Sequence, residues 1–344
     1  VFLNHGIYVP QGVIVDLAKS KKIKTTTWMP GYKKNSFCIT NGDTYHRALI
    51  YEDNKKWENY NFTENINQKI TKYLESRRYG TYDWIHFYKE KPNFEADNYL
   101  NKIGVDKNKR LIGLATSVLW DAQIDFPSNF YSNPLEWVFD TIDFFSNQDK
   151  LQLVIRISPA EVNYGKPARQ KIFEEIIKKY KKIPKNIFVI KPEETISSYS
   201  ILEKCEFVII YASRIGIELA ATGKNIIVCG EGFIRNKKIA IDIKSRDHYL
   251  GVLNDIFEQK IKPNSVDILR AKKYAYHFFF RRMFEINSIE ERKNKWPNFT
   301  ISKNFVNNLQ IKSDSALENI IHSIHNDKDF IIEDSSNLEL GKMK

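Results

Sequence analysis

Between Leu111 and Gly230 the chain repeats one pattern: a short apolar run, an amphipathic stretch of helical period, then another apolar run. The runs are LIGLATSVLW, LQLVIRIS, NIFVI, FVIIYA and NIIVCG. Between them lie PLEWVFDTIDFFSN, ARQKIFEEIIKKYKKI, ISSYSILEKC and GIELAAT. Apolar runs rich in β-branched and aromatic residues, without polar alternation, read as strands covered on both faces. Parallel neighbours need a crossover, and the helical stretches supply it. Five strands alternating with helices predict a parallel, doubly wound α/β sheet. Ligands of such sheets bind outside the carboxyl ends of the strands, so the residues just past these runs are the first candidates for a site.

At 344 residues the chain is long for one core and suits two. The fold class expected is α/β, with two Rossmann-like domains, parallel sheets and C-terminal helices. Residues 1–104 form an α/β unit, 105–260 the parallel-sheet unit, and 261–344 a helical extension that braces them. In the first unit VFLNHG reads as a strand, GVIVDLAKSKK as a helix and IKTTTW as a strand. Residues from Met29 to about Tyr60 read as irregular, and INQKITKYLESRRYG as an amphipathic helix closed by Gly80. The chain opens inside this pattern and without a Met, so more of the first unit is expected upstream.

Hydrophobic residues make up 42% and charged residues 28%, an ordinary globular balance. No apolar stretch approaches the roughly 20 residues of a membrane span, and no leader pattern opens the chain, so a cytoplasmic protein is expected. Cys38, Cys205 and Cys229 lack metal-like spacing and read as reduced, small hydrophobes. The formal charge is +11 and the pI about 9.2. Its lysines are spread through KSKKIK, KKYKKIPK, RNKK and RAKK without a nucleic-acid-binding signature. Solvated helix faces account for most of them, no nucleic-acid partner is expected, and weak contact with an anionic membrane surface stays open. The segment RAKKYAYHFFFRRMF, Arg270–Phe284, has aromatics on every helical face. It suits a helix packed on several sides that braces the two units, with membrane insertion as the other reading. Neither GxGxxG after a strand nor GxxxxGK[ST] occurs, which argues against dinucleotide oxidoreductases and P-loop enzymes.

The stretches VIRISPAE, KPEETISSYSIL (191–202) and YASRIGIELAATGKNIIV (211–228), with HGIYVPQG (5–12) and WDA (120–122), resemble the two-domain GT-B glycosyltransferases. Within these the resemblance is to the capsule and surface-polysaccharide biosynthesis group. It covers about half of the chain, and it departs where relatives often carry His-Pro and this chain has Ser158-Pro159. The resemblance implies a nucleotide-sugar donor, a glycan or lipid-linked glycan acceptor, and no cofactor beyond the donor. A sugar-nucleotide 2-epimerase on the same fold, or a catalytically inactive glycan-binding relative, are the alternatives it leaves.

Breaking a bond between an anomeric carbon and a phosphate puts growing negative charge on the departing phosphate, and something must hold it. Ser213 and the amide groups of the helix after it, with Arg214 as a cation, can do so. The resemblance suggests that Glu218, one turn on, bonds the ribose hydroxyls. Ser213 also reads as a plain helix cap and Glu218 as a solvated helix residue. Ser158 and Glu161, with Arg156 just before them in the second strand's run, stand at the same sheet edge, where a strand-to-helix turn would also use such residues. Pro192 and Glu193 follow the third strand and are candidate contacts to the base, with Ser197 as contact or cap. No DxD-like cluster suggests a metal, since helix termini and cations can serve instead. For a catalytic base or nucleophile the candidates are His5, past a strand of the first unit, which could take the acceptor's proton, with His46 as a rival, and Asp121, past the first strand of the second. Members of the resembling group that transfer Kdo place an acidic catalytic residue at that position.

Overall fold

The computed structural model describes residues 1–83, 91–121, 130–163, 167–263, 266–292, 299–302 and 315–332. The second unit is built on a sheet of six parallel strands: β4 (Arg110–Ala115), β5 (Leu151–Arg156), β6 (Ile187–Ile190), β7 (Phe207–Ile210), β8 (Asn225–Val228) and β9 (Ile241–Asp242). Their order across the sheet is β6-β5-β4-β7-β8-β9. In the order of the chain that is 3-2-1-4-5-6, the doubly wound arrangement whose direction reverses between β4 and β7. The sequence reading expected five strands, and the two-residue β9 was too short to carry a pattern.

Both faces of this sheet are covered, as the unbroken apolar runs require. In β4 Ile112 and Leu114 face one core and Leu111 and Ala115 the other. In β7 Phe207 and Ile209 face one, Val208 and Ile210 the other. The first of these cores is closed by α6 (Pro134–Ser146), α8 (Ile172–Tyr180) and α11 (Arg246–Phe257). The α6 helix starts as its sequence dictates: Asn133 accepts from the amides of Leu135 and Glu136, and Pro134 fills the first helical position. The second core continues into the first unit, so the two units share buried apolar surface.

The first unit has a mixed four-stranded sheet in the order β1-β2-β3-β10. Strands β1 (Phe2–Asn4) and β2 (Thr26–Pro30) are parallel and linked by α1 (Gln11–Ser20), whereas β3 (Ser36–Asn41) is antiparallel to both β2 and β10 (Phe284–Glu285). The stretch read as irregular holds β3, α2 (Tyr45–Ile50) and α3 (Lys55–Glu58). The amphipathic helix is α4 (Glu64–Tyr79), capped by Thr63 and closed by Gly80 in the left-handed conformation at φ 66°.

The segment from Arg270 is buried, and this decides against its insertion into a membrane. It forms α12 (Ile268–Tyr276), which runs on as a π-helical turn over His277–Arg281. Tyr274, Tyr276, Phe278, Phe279 and Phe280 are all buried. Tyr274 donates to the carbonyl of Phe233 in the second unit. The Tyr60 hydroxyl donates to the Lys273 carbonyl, and Tyr32 packs on Phe278 and Phe279. Each fully buried aromatic contributes about 1.5–3 kcal/mol, and here that stabilisation ties one unit to the other. The extension is not helical throughout, since it also supplies β10 and a hairpin of β11 (Ile289–Glu291) with β12 (Phe299–Ile301) before the helix α13 (Ser315–Asn326). No helix among the described residues is long and apolar enough to cross a membrane.

Candidate active site between the two units

The chain turns sharply after β1. His5 and Gly6 both take positive φ, 56° and 78°, and a Cβ on Gly6 would stand 3.0 Å from methyl groups of Thr27 and Val15. Only glycine suits that second position. The His5 amide donates to Trp28 at 2.7 Å, which fixes the turn to β2. The imidazole that results lies between two rings, Tyr8 at 5.5 Å edge-on and Tyr45 at 5.7 Å. Its Nδ1 is buried with no hydrogen-bond partner among the described residues. Burial holds the His5 pKa below its ordinary value, so the ring is neutral near pH 7 and able to accept a proton.

Tyr8 joins this group to the second unit: its hydroxyl donates to Asp121 Oδ1 at 2.7 Å. Asp121 stands in the loop after β4, at the point where the strand order reverses. Burial raises its pKa, and the Tyr8 hydrogen bond and the charge of Arg214 work against that rise. Tyr45 is buried in the same place, its hydroxyl held well above the ordinary range by burial and by the fields of Tyr32, Tyr8 and Asp121. The two catalytic candidates, one from each unit, are thus both in contact with Tyr8. His46 packs edge-on against Tyr45 and Phe233, and burial pushes its pKa well below the usual value. Ala122, the last residue of the WDA stretch, lies outside the described residues.

On the other side of the reversal point, Ser213 follows β7 half-buried. It does not cap the helix after it: α10 (Ile215–Ala220) begins at Arg214 without a side-chain cap, and the Ser213 hydroxyl has no hydrogen bond among the described residues. Ser158 is half-buried past β5, its amide donating to Thr116 Oγ1 at 3.0 Å and its hydroxyl accepting from Ala160. Pro192 is buried and Glu193 exposed in the loop after β6. Ser197 takes the cap reading, accepting from the Ser200 amide at the start of α9 (Ser198–Glu203).

Four other expectations need correction. Glu218 is only 4% exposed. Its carboxylate meets Arg77 Nε of the first unit at 3.0 Å, Arg214 Nε at 3.1 Å and the Tyr199 hydroxyl. Burial alone would raise its pKa, and Arg77 followed by Arg214 more than offsets that, so it stays charged. A carboxylate so enclosed joins the units and is not the solvated helix residue of the plainer reading. Arg214 is bound to the same group, with its guanidinium 3.7 Å above the ring of Tyr32, so it is not a cation loose at the helix start. Arg156 is fully buried and donates to the carbonyls of Lys191 at 2.5 Å and Glu194 at 3.1 Å, and to Ser198 Oγ at 3.1 Å. It shapes the loop that carries Pro192 and Glu193. Glu161, also buried, accepts from the Ile172 amide at 3.1 Å and fastens the start of α8.

Sequence reading missed Tyr8, Tyr32, Tyr45 and Arg77. Tyr8 lies inside HGIYVPQG, but its partner Asp121 is 113 residues away, and nothing local signals that pairing. Among the described residues no group of three or more His, Cys, Asp or Glu is placed to hold a metal ion.

The fold and site together define an α/β protein of GT-B-like architecture, two units with the candidate site between them and C-terminal helices behind. No family model matches the chain, and no curated protein does. Among solved structures it is similar to the β-Kdo 2,4 transferase of Thermosulfurimonas dismutans KpsC, with a TM-score of 0.52 and 13% identity over 81% of this chain and 79% of that one. The β-Kdo 2,7 transferase of the same protein aligns with 95% of this chain and 99% of its own, at 13% identity and a TM-score of 0.46. At such identity the first likeness speaks for the fold alone.

Proposed function

We propose that the chain is a nucleotide-sugar-dependent glycosyltransferase acting on a glycan or lipid-linked glycan acceptor in surface-polysaccharide assembly. The observation that carries this reading is the His5–Tyr8–Asp121 group, which spans the two units beside the reversal point of a parallel sheet. The nucleotide lies along the carboxyl edge of the second unit, with Ser158 and Ser213 as hydroxyl contacts and the Pro192–Glu193 loop against the base. The phosphate sits by Ser213, where the Arg214 charge reaches it although that side chain is paired. Neutral His5 takes the proton of the acceptor hydroxyl as the bond to the anomeric carbon forms. Asp121, held by Tyr8, acts on the reacting sugar from the donor side. No step requires a metal ion. The fold likeness to a Kdo transferase agrees with this reading. An epimerase would need several charged groups directed into the cleft, whereas Arg77, Arg214 and Glu218 are bound to one another.

Incubation with CMP-, UDP- and GDP-sugars tests it. One donor class is expected to release free nucleotide slowly without acceptor and faster with it, and an epimerised sugar nucleotide in place of released nucleotide would favour the other enzyme. No donor turned over in any class would leave the reading without support.

A further inference from the structure

The guanidinium of Arg214 is only partly used within the protein. Its Nε bonds Glu218 at 3.1 Å, whereas Nη1 and Nη2 make no hydrogen bond among the described residues. The side chain keeps 18% of its surface exposed. The other arginine on Glu218 differs, since Arg77 is 3% exposed and donates also to Asp83 and to the Tyr73 hydroxyl. Of these two, Arg214 is therefore the one that still presents donors. Two neighbouring nitrogens in one plane form a fork that matches two oxygens of a phosphate. Ser213, just before it in the chain, has a hydroxyl without a hydrogen bond among the described residues, and the charge of Arg214 reaches Asp121.

The plane of that fork is set by a ring of the other unit. The guanidinium carbon of Arg214 stands 3.7 Å from the centre of the Tyr32 ring, well inside the range of about 6 Å over which a cation and a ring attract. One hydrogen bond at Nε leaves the outer bonds of an arginine free to turn, and a contact over its face removes that freedom. Tyr32 is itself held. It follows β2, its amide donates to Met283 Sδ at 3.5 Å, and its ring stacks on Phe278 at 5.9 Å and meets Phe279 edge-on at 6.1 Å. Its hydroxyl makes no hydrogen bond among the described residues, so these contacts belong to the ring.

We propose that Tyr32 is a positioning residue of the candidate active site: its ring, carried by the first unit, holds the Arg214 fork of the second in place to receive two oxygens of the donor's phosphate. The proposal rests on the transfer reading for the identity of the anion. The first unit thereby takes part in the grip on a nucleotide that lies along the second, and a fork ordered in advance costs less to fix when the phosphate arrives.

The test is calorimetry of CMP, UDP and GDP on the full chain, as parent, Tyr32→Phe, Tyr32→Leu, Arg214→Gln and the double variant Tyr32→Leu with Arg214→Gln. Urea unfolding checks that each folds, and Tyr32→Met takes the place of Tyr32→Leu if the latter does not. For the nucleotide bound best by the parent, affinity is expected to fall at least about tenfold in Arg214→Gln and at least about threefold in Tyr32→Leu. Tyr32→Phe keeps the ring and is expected to stay within about twofold of the parent. Because Tyr32 acts through Arg214, the double variant should bind no more weakly than Arg214→Gln, whereas a residue that merely supported the fold would add its own loss. Parent-like affinity in Tyr32→Leu or in Arg214→Gln, an equal loss in Tyr32→Phe, or additive losses in the double variant would overturn the proposal. Donor turnover is measured in parallel. A parent that binds none of the three nucleotides would refute the transfer reading and this proposal together, binding without turnover the transfer reading alone, and binding indifferent to Tyr32→Leu this proposal alone.

Discussion

Tyr8 is the residue on which the candidate site turns, because one side chain contacts both His5 of the first unit and Asp121 of the second. His5→Ala and Asp121→Asn are each expected to lower turnover by about 10²–10⁴-fold while the donor dissociation constant from calorimetry stays within a few-fold of the parent. They act on groups whose charge changes in the transition state, so the loss belongs in kcat. Tyr8→Phe makes a finer test. The Tyr8 hydroxyl stabilises the ionised form of Asp121, and its loss raises the Asp121 pKa further above the ordinary value. The acidic limb of the pH–rate profile should therefore move to higher pH, and a limb that stayed in place would mean that Asp121 does not control it.

Helix α10 shows how an element can be legible while its purpose is not. Its presence follows from GIELAAT between two buried strands, but Glu218 is answered by Arg77 on α4, a residue with no local link to it. The strands of the second unit were readable because a surface covered on both sides must be apolar throughout. Strands β9 and β10, with two residues each, carry no period at all. Likewise, Ser158 and Ser213 could be placed from strand ends alone, whereas the internal pairing of Arg156 and Glu161 depends on loops that fold back. Removing one partner from a buried ionic group leaves uncompensated charge, so Glu218→Gln should destabilise the protein by about 3–5 kcal/mol in urea unfolding. A change below 1 kcal/mol would mean that this cluster does not hold the units. The π-helical turn after α12 adds a dependence on pH. There His277 Nε2 lies 2.8 Å from Glu52, and burial lowers the His277 pKa from 6.5 to about 4. Between those values the unfolded chain binds more protons than the folded one. Stability should therefore be level above pH 6.5 and fall as pH drops toward 4, by at most about 1.4 kcal/mol per pH unit from this group. In His277→Leu that part of the slope should vanish.

For the whole molecule, the aromatic segment is buried where it joins the units, and exposed lysines and arginines are the expected source of any attraction to a bilayer. Such attraction is worth about 1 kcal/mol per cation near an anionic surface and is screened by salt. Co-sedimentation with anionic vesicles is expected at low salt only, and equal binding to neutral vesicles would point to an apolar contact instead. The central claim, that two units clasp a nucleotide sugar at the reversal point of the parallel sheet, is tested most directly by a crystal structure with bound CMP, UDP or GDP. It predicts the nucleotide against the ends of β4 and β7, with its phosphate in contact with Ser213 and its sugar-bearing end toward Asp121 and His5. A nucleotide bound only against the first unit, or away from the ends of β4 and β7, would contradict it.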